Sequence, residues 1–173
     1  MSRRPNRERG ADRHTQEQRS PKPQPPRIEG VPDAILVDLD GTLAIIGDRS
    51  PYDAARAEVD TLNEQVAWVT RSWLFEGSQT KRADRAVVLV SGRQDKDRPP
   101  TERWLAANGV RYDALHMRAT GDTRNDAIVK RELYEARIRG RYNVVLVIDD
   151  RQRVVDMWRS LGLQCWQVAP GDF

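Results

Sequence analysis

Two carboxylates stand one residue apart in Asp38-Leu39-Asp40-Gly41-Thr42, directly after the apolar run Ala34-Ile35-Leu36-Val37. Alternate side chains of an extended chain point to opposite sides, so the two acids can be aimed differently and take different roles. One chemistry that uses this is phosphoryl transfer. Asp38 can attack a phosphorus atom in line while its second oxygen binds a cation. Asp40 can protonate the leaving oxygen and then deprotonate the water that cleaves the phosphoaspartate. Gly41 lets the backbone turn closely around a phosphate. Two other apolar runs end in the same manner, Ala86 to Val90 in Ser91-Gly92-Arg93 and Val144 to Ile148 in Asp149-Asp150-Arg151. As strands of one sheet, the three runs deliver four carboxylates, a hydroxyl and two arginines to a single rim. Those carboxylates repel unless a cation sits among them, and a donor set of hard oxygens suits Mg²⁺. Ser91 and nearby N–H groups can hold phosphoryl oxygens, and Lys130 can offset charge on the transferring group. Asp126 precedes Lys130 by four residues, so on a helix the two face each other and the acid can aim the ammonium. An Asp-x-Asp-Gly run alone is a common turn, and an acid four residues before a lysine is a common surface pair; the combination carries the chemical reading.

The elements that must position these residues follow from the apolar pattern. Short apolar runs buried on both faces, alternating with helical patterns, give a parallel sheet covered on both sides. Strands are expected at 34–37, 86–90, 144–148 and 165–168, with a further short one within 112–117. Helices are expected over about 53–75, 99–108, 122–139 and 151–161, the second and third stopped by Asn108-Gly109 and Gly140. In an open parallel sheet, ligands bind beyond the carboxyl ends of the strands, which is where the polar residues lie.

The chain has 173 residues, 38% hydrophobic and 32% charged, which suits one domain. The longest apolar runs have five residues, far short of the roughly 20 of a membrane-spanning helix, and the N-terminus lacks the apolar stretch of a secretory leader. The single cysteine, Cys165, leaves no intramolecular disulfide and fits a reducing, cytoplasmic setting. With His14 and His116 as the two histidines, a structural zinc site is excluded. The net charge of +3 resides in residues 1–33, which hold eight basic and five acidic residues, and residues 34–173 are balanced. That tail carries six of the ten prolines and four hydrophobic residues, so it is expected to be disordered, with 20–26 extended. A basic arm touching nucleic acid is the alternative, but acids are interspersed and no aromatic residue is present for stacking on bases.

Asp38 to Thr42, Ser91 to Arg93, Lys130 and Asp149-Asp150 resemble the four motifs of the haloacid dehalogenase (HAD) superfamily of phosphotransferases. Longer segments go further: Asp40 to Ala44, Pro51-Tyr52-Asp53, Gly121-Asp122-Thr123-Arg124, Val154 to Arg159 and Cys165 to Phe173 resemble the 3′-phosphatase domain of bacteriophage-type polynucleotide kinase/phosphatase. The likeness covers about 34–173. It implies an α/β, HAD-like Rossmannoid fold of three layers around a parallel sheet, and a Mg²⁺-dependent phosphatase acting on 3′-phosphate ends of DNA or RNA, 2′,3′-cyclic phosphates included. By this resemblance Asp38 is the nucleophile, Asp40 the general acid/base, and Ser91 and Lys130 the phosphate-binding pair. Asp149 and Asp150, with Asp38 and Asp40, form the metal site. Thr42, Arg49, Gly92, Arg93 and Asp126 belong to the substrate-binding surroundings, the arginines meeting phosphate or the nucleic-acid backbone.

The chain departs from that family in having no Gly-x4-Gly-Lys-Ser/Thr motif, so 5′-kinase activity is not expected, and a separate kinase or ligase is the anticipated partner. Neither Leu43 to Val90 nor Arg93 to Val129 has room for a substantial lid, so the rim is essentially capless and can admit the end of a polymer. Two other readings stand beside this one: a phosphatase of a small metabolite or nucleotide, and a non-catalytic nucleic-acid-binding module. Of the remaining residues, Trp68, Trp73, Trp104, Trp158 and Trp166 are read as core or interface. Trp73-Leu74-Phe75 is either a homodimer patch or a core edge, Cys165 an inert buried thiol, and His116 a structural histidine.

Overall fold

The computed structural model describes residues 23–50, 53–75 and 83–171. Chain order gives β1 (Asp33–Val37), β2 (Ala44–Ile45), β3 (Thr61–Leu62), α1 (Glu64–Phe75), β4 (Arg85–Gln94), α2 (Arg98–Ala107), β5 (Ala114–Arg118), α3 (Asp126–Leu133), β6 (Asn143–Arg151), α4 (Gln152–Ser160) and β7 (Cys165–Gly171). Five strands form one parallel sheet in the order β5-β4-β1-β6-β7. From β1 the chain builds outward through β4 and β5, then returns to the other flank for β6 and β7. The direction of winding therefore reverses between β1 and β6, the place where open α/β sheets leave a crevice for ligands.

Alternation along the strands divides the core into two layers. Ile35, Val37, Val87, Leu89, Leu115 and Met117 pack with Val66, Ala67 and Leu74 of α1 and with Trp104 and Leu105 of α2. Ala34, Leu36, Ala86, Val88 and Val90 pack on the opposite face with Val154, Val155, Met157 and Trp158 of α4 and with Tyr134 and Ile138 beyond α3. This is the expected three-layer arrangement. Among the described residues, no helix is long and apolar enough to cross a membrane.

Several elements differ from the sequence-based expectation. The helix expected over 53–75 is broken into a 3₁₀ segment (Ala54–Val59), β3 and α1. Asp60 is extended and buried at the break, and the β-branched Val59 and Thr61 beside it lower the helical preference. β3 then pairs antiparallel with β2, a small hairpin that the apolar pattern did not reveal. The helix expected from 122 starts at Asp126, where the Asn125 side chain caps it by accepting from the Ala127 N–H at 2.9 Å, and it continues as a π-helical turn over Tyr134–Ile138. The strands also run further at the rim, so Ser91 to Arg93 and Asp149 to Arg151 lie within β4 and β6 rather than beyond them.

The tail up to residue 22, Pro51-Tyr52 and Asp172-Phe173 lie outside the described residues. Residues 23–28 are exposed and form neither helix nor strand. Asn143, at the start of β6, ties the approach to β1. Its Oδ1 accepts from the Ile28 N–H at 2.7 Å, and its Nδ2 donates to the carbonyls of Ile28 at 3.0 Å and Val31 at 3.1 Å. Asn143→Ala removes these three hydrogen bonds, worth about 0.5–1.5 kcal/mol each. Trypsin cleavage at Arg27–Ile28, followed by mass spectrometry, should accelerate about 10-fold or more, with little change in the urea midpoint of the core. Unchanged cleavage would show that Asn143 does not hold this segment.

Candidate active site

The expected motif residues converge at the carboxyl ends of the central strands. Asp38 follows the last residue of β1, and its main-chain N–H donates to the Ile148 carbonyl of β6 at 3.0 Å. Its side chain is buried, with Oδ1 accepting from Lys130 Nζ at 2.7 Å and Oδ2 from Thr42 Oγ1 at 3.4 Å. Lys130 reaches across from α3 and also donates to Asp149 Oδ2 at 2.9 Å, with Asp126 Oδ2 3.6 Å away. The Trp158 indole N–H of α4 meets the same Asp149 oxygen at 3.3 Å. Thr42 Oγ1 lies 3.3 Å from Asp150 Oδ1. Asp38, Asp149 and Asp150 each present an oxygen, and these atoms lie within 4.8 Å of one another. A buried set of three carboxylates with no nitrogen or sulfur donor fits a hard divalent cation.

Two glycines are required by this closeness. Gly41 has φ +83°, and a Cβ there would stand 2.2 Å from Asp150 Oδ2. A Cβ at Gly92 would stand 2.5 Å from Asp126 Oδ1. Asp126 is further held by Arg118, whose Nη2 donates to Oδ1 at 2.9 Å and whose Nε donates to the Gly92 carbonyl at 2.8 Å, and by Arg151 at 3.5 Å. Ser91 is fully buried, two residues beyond the last β1–β4 pair, and its Oγ accepts from the Arg93 N–H at 3.1 Å.

Asp40 stands apart from the three-carboxylate group, among arginines. Its Oδ1 accepts from Arg49 Nη2 at 2.6 Å and Arg93 Nη2 at 2.7 Å, and its Oδ2 from Arg93 Nε at 2.9 Å. Both guanidinium groups are buried, and both also donate to Asp60. Arg93 reaches Thr101 Oγ1 as well, at 3.2 Å. The arginines expected to meet a phosphate are thus engaged by two carboxylates. Asp60 was absent from the candidate residues, yet it anchors this network, and the Trp104 indole N–H donates to its main-chain carbonyl at 2.8 Å. The signals for it were indirect: two arginines needing acids, and a stretch of poor helix formers around it. Arg118 left no signal beyond ending a strand.

With Asp126 set against Arg118 and Arg151, the remaining three carboxylates face one ammonium. Burial, then Asp149, Asp150 and Asp126, raise the Asp38 carboxyl well above its ordinary range despite Lys130. Burial and then Asp149 raise Asp150. Burial opposes the charge of Lys130, but Asp149, Asp38 and Asp126 outweigh it and hold the ammonium well above its usual value. Burial would likewise raise Asp126, but Lys130, Arg151 and Arg118 hold it low.

The other singled-out residues divide. Trp104 and Trp158 are core, whereas Trp68 and Trp166 are 67% and 51% exposed, so of the core or interface reading the core half does not hold for these two. Leu74 is buried and the Trp73 N–H donates to the Ala86 carbonyl, so Trp73 to Phe75 is a core edge. Cys165 is buried, its thiol pushed up to about 12 by burial and then Asp149, as expected of an inert thiol. His116 is held below its ordinary value by burial and then by Arg137, Arg98 and Arg141.

Residues 32–173 match the family model described as the polynucleotide kinase PNKP phosphatase domain. Over 139 residues the chain is 35% identical to a protein of Autographa californica nuclear polyhedrosis virus described as a bifunctional polynucleotide kinase/RNA ligase; the match covers 75% of this chain and 18% of that protein. A chain in the structure of the Pnkp1/Rnl/Hen1 RNA repair complex superposes with a TM-score of 0.79 at 42% identity, over 89% of this chain and 47% of its own. A second Pnkp1/Rnl/Hen1 structure gives 0.78 at 45% identity, over 84% and 49%. A HAD-like phosphatase of Mesorhizobium loti, 20% identical with a TM-score of 0.53 over 86% of this chain and 76% of its own, shares the fold. The chain therefore spans less than a fifth of the viral protein and about half of each repair-complex chain.

The raised carboxyls have a consequence for stability. A group whose folded pKa lies above its unfolded value stabilises the fold below the ordinary carboxylate range, and that contribution is lost as pH rises through the shifted value. Asp38 and Asp150 are both raised. In chelator the melting temperature should therefore fall between pH 5 and pH 8. A divalent cation at one fixed concentration, about 100 times its Kd at pH 8, should restore about 5–10 °C at pH 8 and less at pH 5. Asp150→Asn should raise the melting temperature in chelator at pH 8 and abolish the response to the cation. Differential scanning fluorimetry reads all three, and a cation response equal at both pH values would contradict the account.

Proposed function

The chain belongs to the PNKP phosphatase-domain family of HAD phosphatases, and on that premise we propose that it is a Mg²⁺-dependent polynucleotide 3′-phosphatase that prepares DNA or RNA ends for repair. The observation that carries this is Asp38, buried at the end of the central strand between Lys130 and the paired acids of β6, with Asp40 two residues on in a separate arginine network. When bound by Asp38, Asp149 and Asp150, the magnesium ion supplies neutralisation of the phosphoryl oxygens. An Asp38 carboxylate oxygen attacks the terminal phosphorus, and the bond from phosphorus to the 3′ oxygen breaks. Asp40 gives its proton to that oxygen, which leaves as the 3′ hydroxyl. Asp40 then takes a proton from water, whose oxygen attacks the phosphoaspartate, releasing inorganic phosphate and restoring both acids. Lys130 and Ser91 hold the phosphoryl oxygens, with the Gly92 and Thr42 backbone alongside.

Arg49 and Arg93 serve this reaction by aiming Asp40. Both of its oxygens carry arginine N–H groups, so delivering a proton requires releasing part of that contact. An open rim supports a polymer substrate: β2, β3, the 3₁₀ segment and α1 are the described elements between β1 and β4. The product, a 3′ hydroxyl, is what a ligase consumes, so a kinase or ligase is the anticipated partner. A cytoplasmic setting, read from the lone buried thiol, belongs to the same proposal.

The test is phosphate release in Mg²⁺ from 3′-phosphate, 2′,3′-cyclic phosphate and 5′-phosphate oligonucleotides of both polymers, alongside mononucleotides and sugar phosphates. Turnover should favour the 3′-phosphorylated oligonucleotides, leave 5′ ends intact, and drop about 10⁴-fold or more in Asp38→Asn. A preference for mononucleotides or sugar phosphates would replace the polymer reading with a metabolite phosphatase. Tight oligonucleotide binding without turnover on any of these would leave a binding module.

A further inference from the structure

We infer that Gln167, on the edge strand β7, is a positioning residue that sets where the Asp150 carboxylate stands. This rests on the reading of Asp150 as an acid of the metal site. β6 and β7 pair in regular register as far as Asp149 and Gln167, and the next pair is Arg151 with Gly171. Asp150 alone on β6 therefore spans the same interval as residues 168–170 of β7. Such a bulge loosens the ladder and re-aims the side chains beside it. Pro170 lies in the bulge and has no N–H to give. At this point the Gln167 side chain turns back, and its Nε2 donates to the main-chain carbonyl of Asp150 at 2.9 Å.

The Asp150 carboxylate has little else to fix it. Among the described residues its one hydrogen bond from a side chain comes from Thr42 at 3.3 Å, a long contact, beside one from its own main chain. By contrast, Asp149 takes Lys130 and Trp158 on one oxygen. The placing of Asp150 therefore passes to its backbone, and Gln167 is the side chain that grips that backbone. Tolerance there is small, because the Asp150 oxygens already crowd Gly41 on one side and metal coordination fails with displacements of a few tenths of an ångström. Gln167 is half-buried at the rim, so replacing it leaves both core layers intact.

The experiment titrates Mg²⁺ into the full chain by isothermal calorimetry, with circular dichroism to confirm folding, for the wild type, Gln167→Ala, Gln167→Met and Asp150→Asn. Met has nearly the size of Gln and no donor. Both Gln167 variants should weaken Mg²⁺ binding about 10–100-fold while remaining folded, and Asp150→Asn should bind none. In turnover assays the Gln167 variants should need more Mg²⁺ for half-maximal rate, with an unchanged KM for the 3′-phosphorylated oligonucleotide at saturating Mg²⁺. Wild-type Mg²⁺ affinity in Gln167→Met would show that the side chain merely fills space and would overturn the inference. No binding by the wild type would overturn it together with the metal reading. Weakened binding in both variants by a chain inactive on 3′-phosphates would uphold it while removing the proposed substrate.

Discussion

Repulsion among buried carboxylates is the constraint around which this molecule is built. Asp38, Asp149 and Asp150 occupy a space a few ångströms across, all largely removed from water, with the single ammonium of Lys130 among them. A cluster of this kind is costly to desolvate and is tolerated when a compensating charge is available. The surrounding fold supplies what compensation it can. α3 brings Lys130 inward, Arg118 and Arg151 draw off Asp126, and α4 offers the Trp158 N–H to Asp149. The deficit of positive charge that remains is one a divalent cation among the three carboxylates would make good.

The second network is the complement of the first. Asp40 and Asp60 are opposed by Arg49 and Arg93, so charge there is balanced within the protein. Two acids two residues apart thus live in contrasting surroundings, one short of positive charge and one surrounded by it. The proposed roles therefore ask a change of each: a bound cation to hold Asp38 ionised, and loosened arginine contacts before Asp40 can carry a proton. Arginine suits the second network because its planar fork reaches two carboxylates at once, which a lysine ammonium cannot match.

Sheet irregularities place the chemistry at the rim. The register slips between Ser91 and Gln94 where β4 meets β5, and again between Asp149 and Arg151 where β6 meets β7. Both slips fall at the carboxyl ends that carry the motif residues. Regular pleating would send the consecutive Asp149 and Asp150 to opposite faces; the slip beside them lets both β6 acids lie together near the crevice where the winding reverses.

The sequence by itself determined the alternation of buried strands and helices, the strand ends that bear Asp38, Ser91 and Asp149-Asp150, and the pairing of Asp126 with Lys130. Each is a local property: apolar runs of strand length, polar residues at their ends, and four-residue spacing on a helix. Only the tertiary structure decided that Arg49 and Arg93 turn to Asp40 and Asp60, that the segment before α1 breaks at Asp60, that Trp166 is exposed while Trp158 is buried, and that Gln167 reaches Asp150. These depend on contacts between residues as much as 53 positions apart, or on the bulge between two strands. Which charges meet across such distances is set by strand order and register, quantities that no stretch of the chain carries alone.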